Sequence, residues 1–208
     1  MSFHLPSYIA VVAAYLVGSL SFAVIVSKAL GMADPRSYGS GNPGATNVLR
    51  SGHKGAALAT LLLDALKGWL PVFAVQQWGG AYGMGLTTAA LAGLAAFLGH
   101  LYPVFFAFQG GKGVATALGA LVGVAWLLGL ATGISWLVIA FFFRYSSLAS
   151  IVAALFAPAY YLLGGNIAWP LEPGVFFTLL AMGLLLIWRH RENIRRLWAG
   201  TESKLGKK

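Results

Sequence analysis

Six long apolar runs carry most of the chain: Tyr8–Ser27, Gly55–Val75, Met84–Phe108, Val114–Phe143, Leu148–Leu163 and Gly174–Trp188. A helix needs about 20 apolar residues to cross ~30 Å of hydrocarbon, so runs of this length read as membrane spans. The fourth, from 114 to 143, is well beyond one span. Its middle, "LLGLATGIS" (127–135), holds Gly129 and Gly133, and a tight turn there predicts two short helices in place of one.

The distribution of basic residues supports that division. With seven spans and the N-terminus outside, Lys28 to Lys54, Lys112, Arg144 and the tail from Arg189 to Lys208 all fall inside. The outside connections, 76–83, the turn near Gly129 and 164–173, carry no Lys or Arg. Six spans would put Arg144 and "RHRENIRRLW" (189–198) outside, against the positive-inside rule. The first run has no basic residue before it and is followed by Lys28, the reverse of a secretory signal, so it reads as a retained span. The expectation is an all-α, polytopic membrane protein: seven transmembrane helices, N-terminus outside, C-terminus cytoplasmic, one domain over 1–208.

Composition agrees. Hydrophobic residues make up 59% of the chain and charged residues 9%, with a mean hydropathy of +0.78; a soluble domain carries about 25% charged residues. The net charge of +9 would suit nucleic acid, but its clustering in short loops and the tail is the membrane topology signal. No nucleic acid is expected; anionic lipid and anionic substrates are. There is no cysteine, hence no disulfide or thiol chemistry.

In this topology every polar, motif-like stretch lies on one face. "DPRSYGSGNPGATNVLRSG" (34–52) contains a literal G-x-G-x-x-G at 39–44, with Asp64 twenty residues on. A dinucleotide site needs that loop between a strand and a helix, and here it follows a membrane span. Its chemistry still suits an anion: glycine lets backbone N–H groups approach, Ser40, Thr46 and Asn47 add donors, and Arg50 offers a planar fork. "QGGKGVATALG" (109–119) places Gly110, Gly111 and Gly113 around Lys112 where a helix begins, a phosphate cradle by helix dipole and charge. Phe106 and Gly113 stand where a Walker loop needs Gly and Ser or Thr, so no nucleotide triphosphate is implied.

Other polar residues admit plainer readings. His100 within its span reads as a packing residue or as a helper orienting the following loop. Ser147 in "RYSS" reads as a helix cap or as a phosphate ligand. In "RHRENIRRLWAGTESK", His190 and Asn193 share one face of a continuing helix, Glu192 pairs with Arg196, and the arginines sit on anionic lipid. Asp64 and Lys67, three apart inside a span, read first as a mutually neutralising buried pair. No His is followed by Asp at the fifth position, and no G-x-S-x-G elbow occurs. No metal constellation is present.

Together "SGNPGATNVLR", "GHLYPVFFAFQGGKGVATALG" and "RHRENIRRLW" resemble, in order and spacing over essentially the whole chain, the bacterial acyl-phosphate:glycerol-3-phosphate acyltransferases, the PlsY family. The resemblance implies a multi-pass enzyme of phospholipid synthesis in the bacterial inner membrane, with its site on the cytoplasmic side and no cofactor. It would transfer a fatty acyl group from acyl phosphate to the 1-hydroxyl of glycerol 3-phosphate, giving lysophosphatidic acid and phosphate. A partner enzyme would make the acyl phosphate. By resemblance, Lys112 and the Gly110–Gly113 amides hold the donor and Ser40, Arg50, Ser147, His190 and Asn193 hold glycerol 3-phosphate; Lys112, His190, Ser40 and Arg50 are the expected catalytic residues, and Asn47 is a further substrate-binding one. The base is either His190 or a substrate phosphate oxygen. The competing classes are a transporter of phosphorylated compounds and a lipid-binding scaffold.

Overall fold

The structure, a computed structural model, describes residues 4–206. It contains ten α-helices: α1 (Leu5–Gly18), α2 (Phe22–Ala29), α3 (Ala45–Arg50), α4 (Lys54–Trp78), α5 (Leu86–Leu101), α6 (Val114–Val124), α7 (Trp126–Phe143), α8 (Ser146–Leu163), α9 (Pro173–Arg189) and α10 (Arg191–Trp198). No β-strand occurs among the described residues. In hydrocarbon no water can take up a free peptide group, so an apolar chain of this kind satisfies its backbone within helices.

Four helical segments are long and apolar enough to cross a membrane, or up to six when two bent pairs each count as one span. The first run is one such pair: α1 and α2 meet at 42° across Ser19–Ser21. The break frees the Leu20 carbonyl, and the Lys67 ammonium of α4 donates to it at 2.6 Å. The second pair, α9 and α10, bends by 55° at His190. α6 has 11 residues, about 16 Å at 1.5 Å per residue, roughly half a bilayer.

The long fourth run does divide, though four residues earlier than its glycines predict. The corner is Ala125, a single extended residue (φ −155°, ψ 119°) between α6 and α7. Gly129 lies inside α7. A Cβ there would come within 2.3 Å of the Val122 side chain, so this glycine lets the two helices fold tightly onto one another and turns nothing. The Gln76 amide of α4 donates to the Gly123 carbonyl at 2.9 Å, satisfying the exposed C-terminal end of α6.

Lipid tails are as apolar as leucine, so helices in a bilayer gain little by hiding leucines from lipid and instead associate through small residues that allow close contact. At the α1–α5 crossing, added Cβ atoms on Gly18 and Gly99 would sit 2.0 Å from the Ala96 carbonyl oxygen and 2.3 Å from that of Tyr15. At the α4–α6 crossing, Gly68 and Gly119 stand in the same relation to Thr116 and Ala65, at 2.1 and 1.9 Å. Much of the buried core is alanine, while Leu58, Leu61, Leu137, Phe141 and Phe142 are exposed. Within this core Asp64 and Lys67 do form a buried pair, 2.8 Å apart, with His100 Nδ1 3.6 Å from the same carboxylate oxygen.

Candidate functional site

The first polar loop is shaped from within. Gly39 (φ +60°) and Gly41 (φ +65°) adopt the left-handed conformation that lets the chain coil back on itself. Asn47, 1% exposed, then fills the coil. Its amide nitrogen donates to the carbonyls of Pro35 (2.7 Å) and Tyr38 (3.1 Å), and its oxygen accepts the Ser40 N–H (3.0 Å). Asn47 therefore spends its hydrogen bonds holding Ser40 in place. Arg50, in the last turn of α3, donates to the Ser203 hydroxyl at 2.6 Å.

The Gly-Gly-Lys-Gly motif divides into scaffold and working end. The Gly111 N–H is committed to the His100 carbonyl (3.1 Å), and Arg189 donates to the carbonyls of Gly110 (3.0 Å) and Gly111 (2.9 Å). A Cβ at Gly111 would meet the His100 ring at 2.3 Å, so the ring packs directly against this loop. Gly113 takes φ +81° and precedes α6, whose first-turn N–H groups have no intrahelical acceptor. The amides left without an intrahelical acceptor thus lie at the α6 N-terminus, with Gly110 and Gly111 behind them.

Lys112 donates to the Asn193 side-chain oxygen. Burial lowers its pKa to about 8; Glu202 works to raise it, while the cations Arg196, Arg50 and Arg189 add to the depression. The ammonium is charged below about pH 8 and readily loses its proton above.

Glu202 also lines this site, at a position the sequence did not single out. Past α10, Gly200 (φ +69°) turns the chain back, and the Thr201 N–H bonds the Arg196 carbonyl at 2.8 Å. Glu202 lands 8% exposed inside the site. Its carboxylate accepts the Ser147 hydroxyl, the Asn193 amide and Arg196 Nε, each at 2.7 Å. Burial would raise its pKa, but these three donors outweigh burial and hold it below the ordinary glutamate range. The one signal available was a second acid, besides Glu192, in a basic tail.

Three local expectations are corrected here. Ser147 caps nothing: α8 starts at Ser146 with Tyr145 preceding it and no side-chain cap, and the Ser147 hydroxyl goes to Glu202. Glu192 pairs with Arg195 (3.1 Å), leaving Arg196 to Glu202. His190 and Asn193 do not share one continuous helix, because the chain bends at His190; both are buried all the same, at 2% and 6%. His190 Nδ1 lies 2.8 Å from the Leu186 carbonyl, which can only accept. In the neutral ring the proton is thus on Nδ1, and Nε2 is the acceptor.

These groups meet in a cavity of about 670 Å³. Ser40, Asn47, Arg50, Lys112, Gly113, Ser147, His190 and Asn193 line its polar end, while Gly110 and Gly111 do not reach it. From there it continues as an apolar trough between helices. Ala153, Ala154 and Ala157 of α8 form one wall, and Leu179, Met182 and Leu186 of α9 form another. The shape and chemistry are those of a site for an anionic head bearing a long apolar chain.

The chain matches the family model for glycerol-3-phosphate acyltransferase over residues 8–200. A glycerol-3-phosphate acyltransferase of Albidiferax ferrireducens is 65% identical over 93% of this chain and 87% of its own length. One from Burkholderia pseudomallei is 60% identical over 96% of both chains. Among solved structures, PlsY (YgiH), an integral membrane glycerol 3-phosphate acyltransferase, is similar in its glycerol 3-phosphate form, with a TM-score of 0.86, 41% identity and coverage of 97% of this chain and 96% of that one. Its lysophosphatidic acid form gives a TM-score of 0.85 at the same identity and coverage.

Proposed function

This chain belongs to the glycerol-3-phosphate acyltransferase family, and from that premise we propose that it takes its acyl group from an acyl phosphate. It is an integral membrane acyltransferase of phospholipid synthesis, acting on glycerol 3-phosphate. The observation that carries the donor reading is the cavity itself. Lys112 and the α6 N-terminus mark one anion position at the head of an apolar trough, and Arg50 and Arg196 flank the space beside it. Two anions are served by two groups of donors, and the trough takes the acyl chain.

An acyl phosphate is already an activated anhydride. The enzyme then needs positioning and charge stabilisation in place of a covalent intermediate. The 1-hydroxyl oxygen of glycerol 3-phosphate attacks the acyl carbon, the carbon–oxygen bond to phosphate breaks, and phosphate departs. Its oxygen takes the hydroxyl proton. Lys112 and the first-turn amides of α6 hold the donor phosphate and stabilise its developing charge. Ser40, Arg50, Ser147, His190 and Asn193 hold glycerol 3-phosphate, with His190 Nε2 accepting from a glycerol hydroxyl and Asn47 fixing the Ser40 loop. No nucleophile is required of the chain, in keeping with the lack of a G-x-S-x-G elbow.

The reading extends to a single domain over 1–208 and seven membrane helices, with α6, which covers only about half a bilayer, and α7 counted separately. The N-terminus is outside, and the site faces the cytoplasm of a bacterial inner membrane, where a separate enzyme supplies the acyl phosphate. The support is the lack of Lys or Arg in 76–83 and 164–173. The deciding experiment gives purified protein in detergent glycerol 3-phosphate with either a fatty acyl phosphate or the matching acyl-CoA. Lysophosphatidic acid is expected with the first donor alone. Product from acyl-CoA alone sinks the donor assignment.

A further inference from the structure

Glu202 is itself assigned to neither substrate, yet it holds two of the residues proposed to bind glycerol 3-phosphate and is the anion on which the polar end of the cavity is organised. Its Oε1 takes both the Asn193 amide and the Ser147 hydroxyl. An asparagine side chain has two distinct ends, and a carboxylate can only accept. With its NH₂ on Glu202, the Asn193 oxygen must turn the other way, and there it receives the Lys112 ammonium. Glu202, Asn193 and Lys112 therefore form one directional relay from a tail residue to the N-terminus of α6.

From this geometry we infer that Glu202 is a positioning residue for acyl transfer, fixing the orientation of Asn193 and keeping Lys112 in its charged, phosphate-binding form. The inference rests on the reading of Lys112 as the donor-phosphate ligand. Lys112 is otherwise surrounded by groups that oppose its charge. Arg196 of α10, Arg189 of α9 and Arg50 of α3 are cationic, and burial works in the same direction. Lys54, Asp64, His100 and His190 also line the cavity, and Asp64 is already paired with Lys67. Glu202 is left as the acid that favours the Lys112 cation. Arg196 Nε holds the second carboxylate oxygen, so the acid cannot swing out without losing that ion pair.

The inference separates from a merely structural role by its pH signature. Glu202→Gln keeps the shape and one acceptor but removes the charge. The alkaline limb of kcat, set near pH 8 by Lys112, is expected to move down by about one pH unit. The kcat/KM at pH 7 should fall roughly tenfold to a hundredfold, the scale of a lost hydrogen bond to a charged group. Glu202→Asp, which keeps the charge, should leave the limb where it is in the wild type. Rates are referred to folded protein measured by size exclusion in detergent. An unmoved limb in Glu202→Gln, at wild-type rate per folded molecule, overturns the inference. Should Glu202→Gln not fold, Glu202→Asp decides: its retained charge must keep the limb at the wild-type pH, and a limb displaced downward in folded protein overturns the inference equally. Wild type is run in parallel with acyl phosphate and acyl-CoA. A failure of the donor reading then shows as the wrong donor, while the limb with the working donor still judges Glu202.

Discussion

An ammonium on a four-carbon stem binds phosphate well only when its position and its charge are both secured. Asn193 supplies the position of Lys112 and Glu202 favours the charge. Substituting Lys112 by Gln should lower kcat/KM by about 100- to 1,000-fold, the usual loss for one preorganised donor to a developing oxyanion. Arg at this position should not restore it, since a planar fork cannot replace a compact cation in a space shaped by glycine. For the wild type the sign of the pH effect follows from the lowered pKa. The charged form predominates below about pH 8, so activity should hold at neutral pH and decline as pH rises through 8. His190 differs: its Nδ1 is occupied by the Leu186 carbonyl, which leaves Nε2 as the acceptor proposed to face substrate. His190→Gln should retain measurable turnover while raising the KM for glycerol 3-phosphate. Complete loss of turnover with unchanged substrate binding would show His190 to be the base.

The helices repeat the lesson in their contacts. The α4–α6 crossing brings Gly119 onto the Ala65 carbonyl with no room for a methyl group. Gly119→Ala should therefore destabilise the protein by about 1–3 kcal/mol, as overpacking does, seen as a lower Tm in detergent. Gly55→Ala, where an added Cβ meets nothing, is the control. At this scale the sequence is most and least informative. The apolar runs announced helices because length and hydropathy are local properties, and the glycine loop around Lys112 announced a helix start for the same reason. The corner at Ala125 was not legible, because it depends on how Val122 packs against Gly129 across the turn. Asn47 looked like a substrate donor because its role as the filler of a coil exists only once Pro35, Tyr38 and Ser40 surround it. Glu202 was hidden by distance: its partner Ser147 is 55 residues away.

At the scale of the whole molecule, one bundle places Ser40, Lys112, Ser147 and Asn193, from four separate stretches of chain, around a single cavity. The proposed topology can be tested directly, since the chain lacks cysteine and any thiol introduced is the only one. A cysteine at Gly80 should react with a membrane-impermeant maleimide in intact cells, whereas one at Lys204 should react only after the membrane is opened. The reverse pattern would invert the orientation.

The fold-back of Glu202 also bears on how this protein comes into being. A ribosome delivers Ser40 early, Lys112 midway and Glu202 only after α10 has been made. Until then the Asn193 amide lacks the carboxylate that takes its NH₂ group, and Lys112 lacks the acid that favours its charge. On the proposed role of Glu202, the polar end of the cavity is therefore assembled in full only once the chain has been made through that last turn.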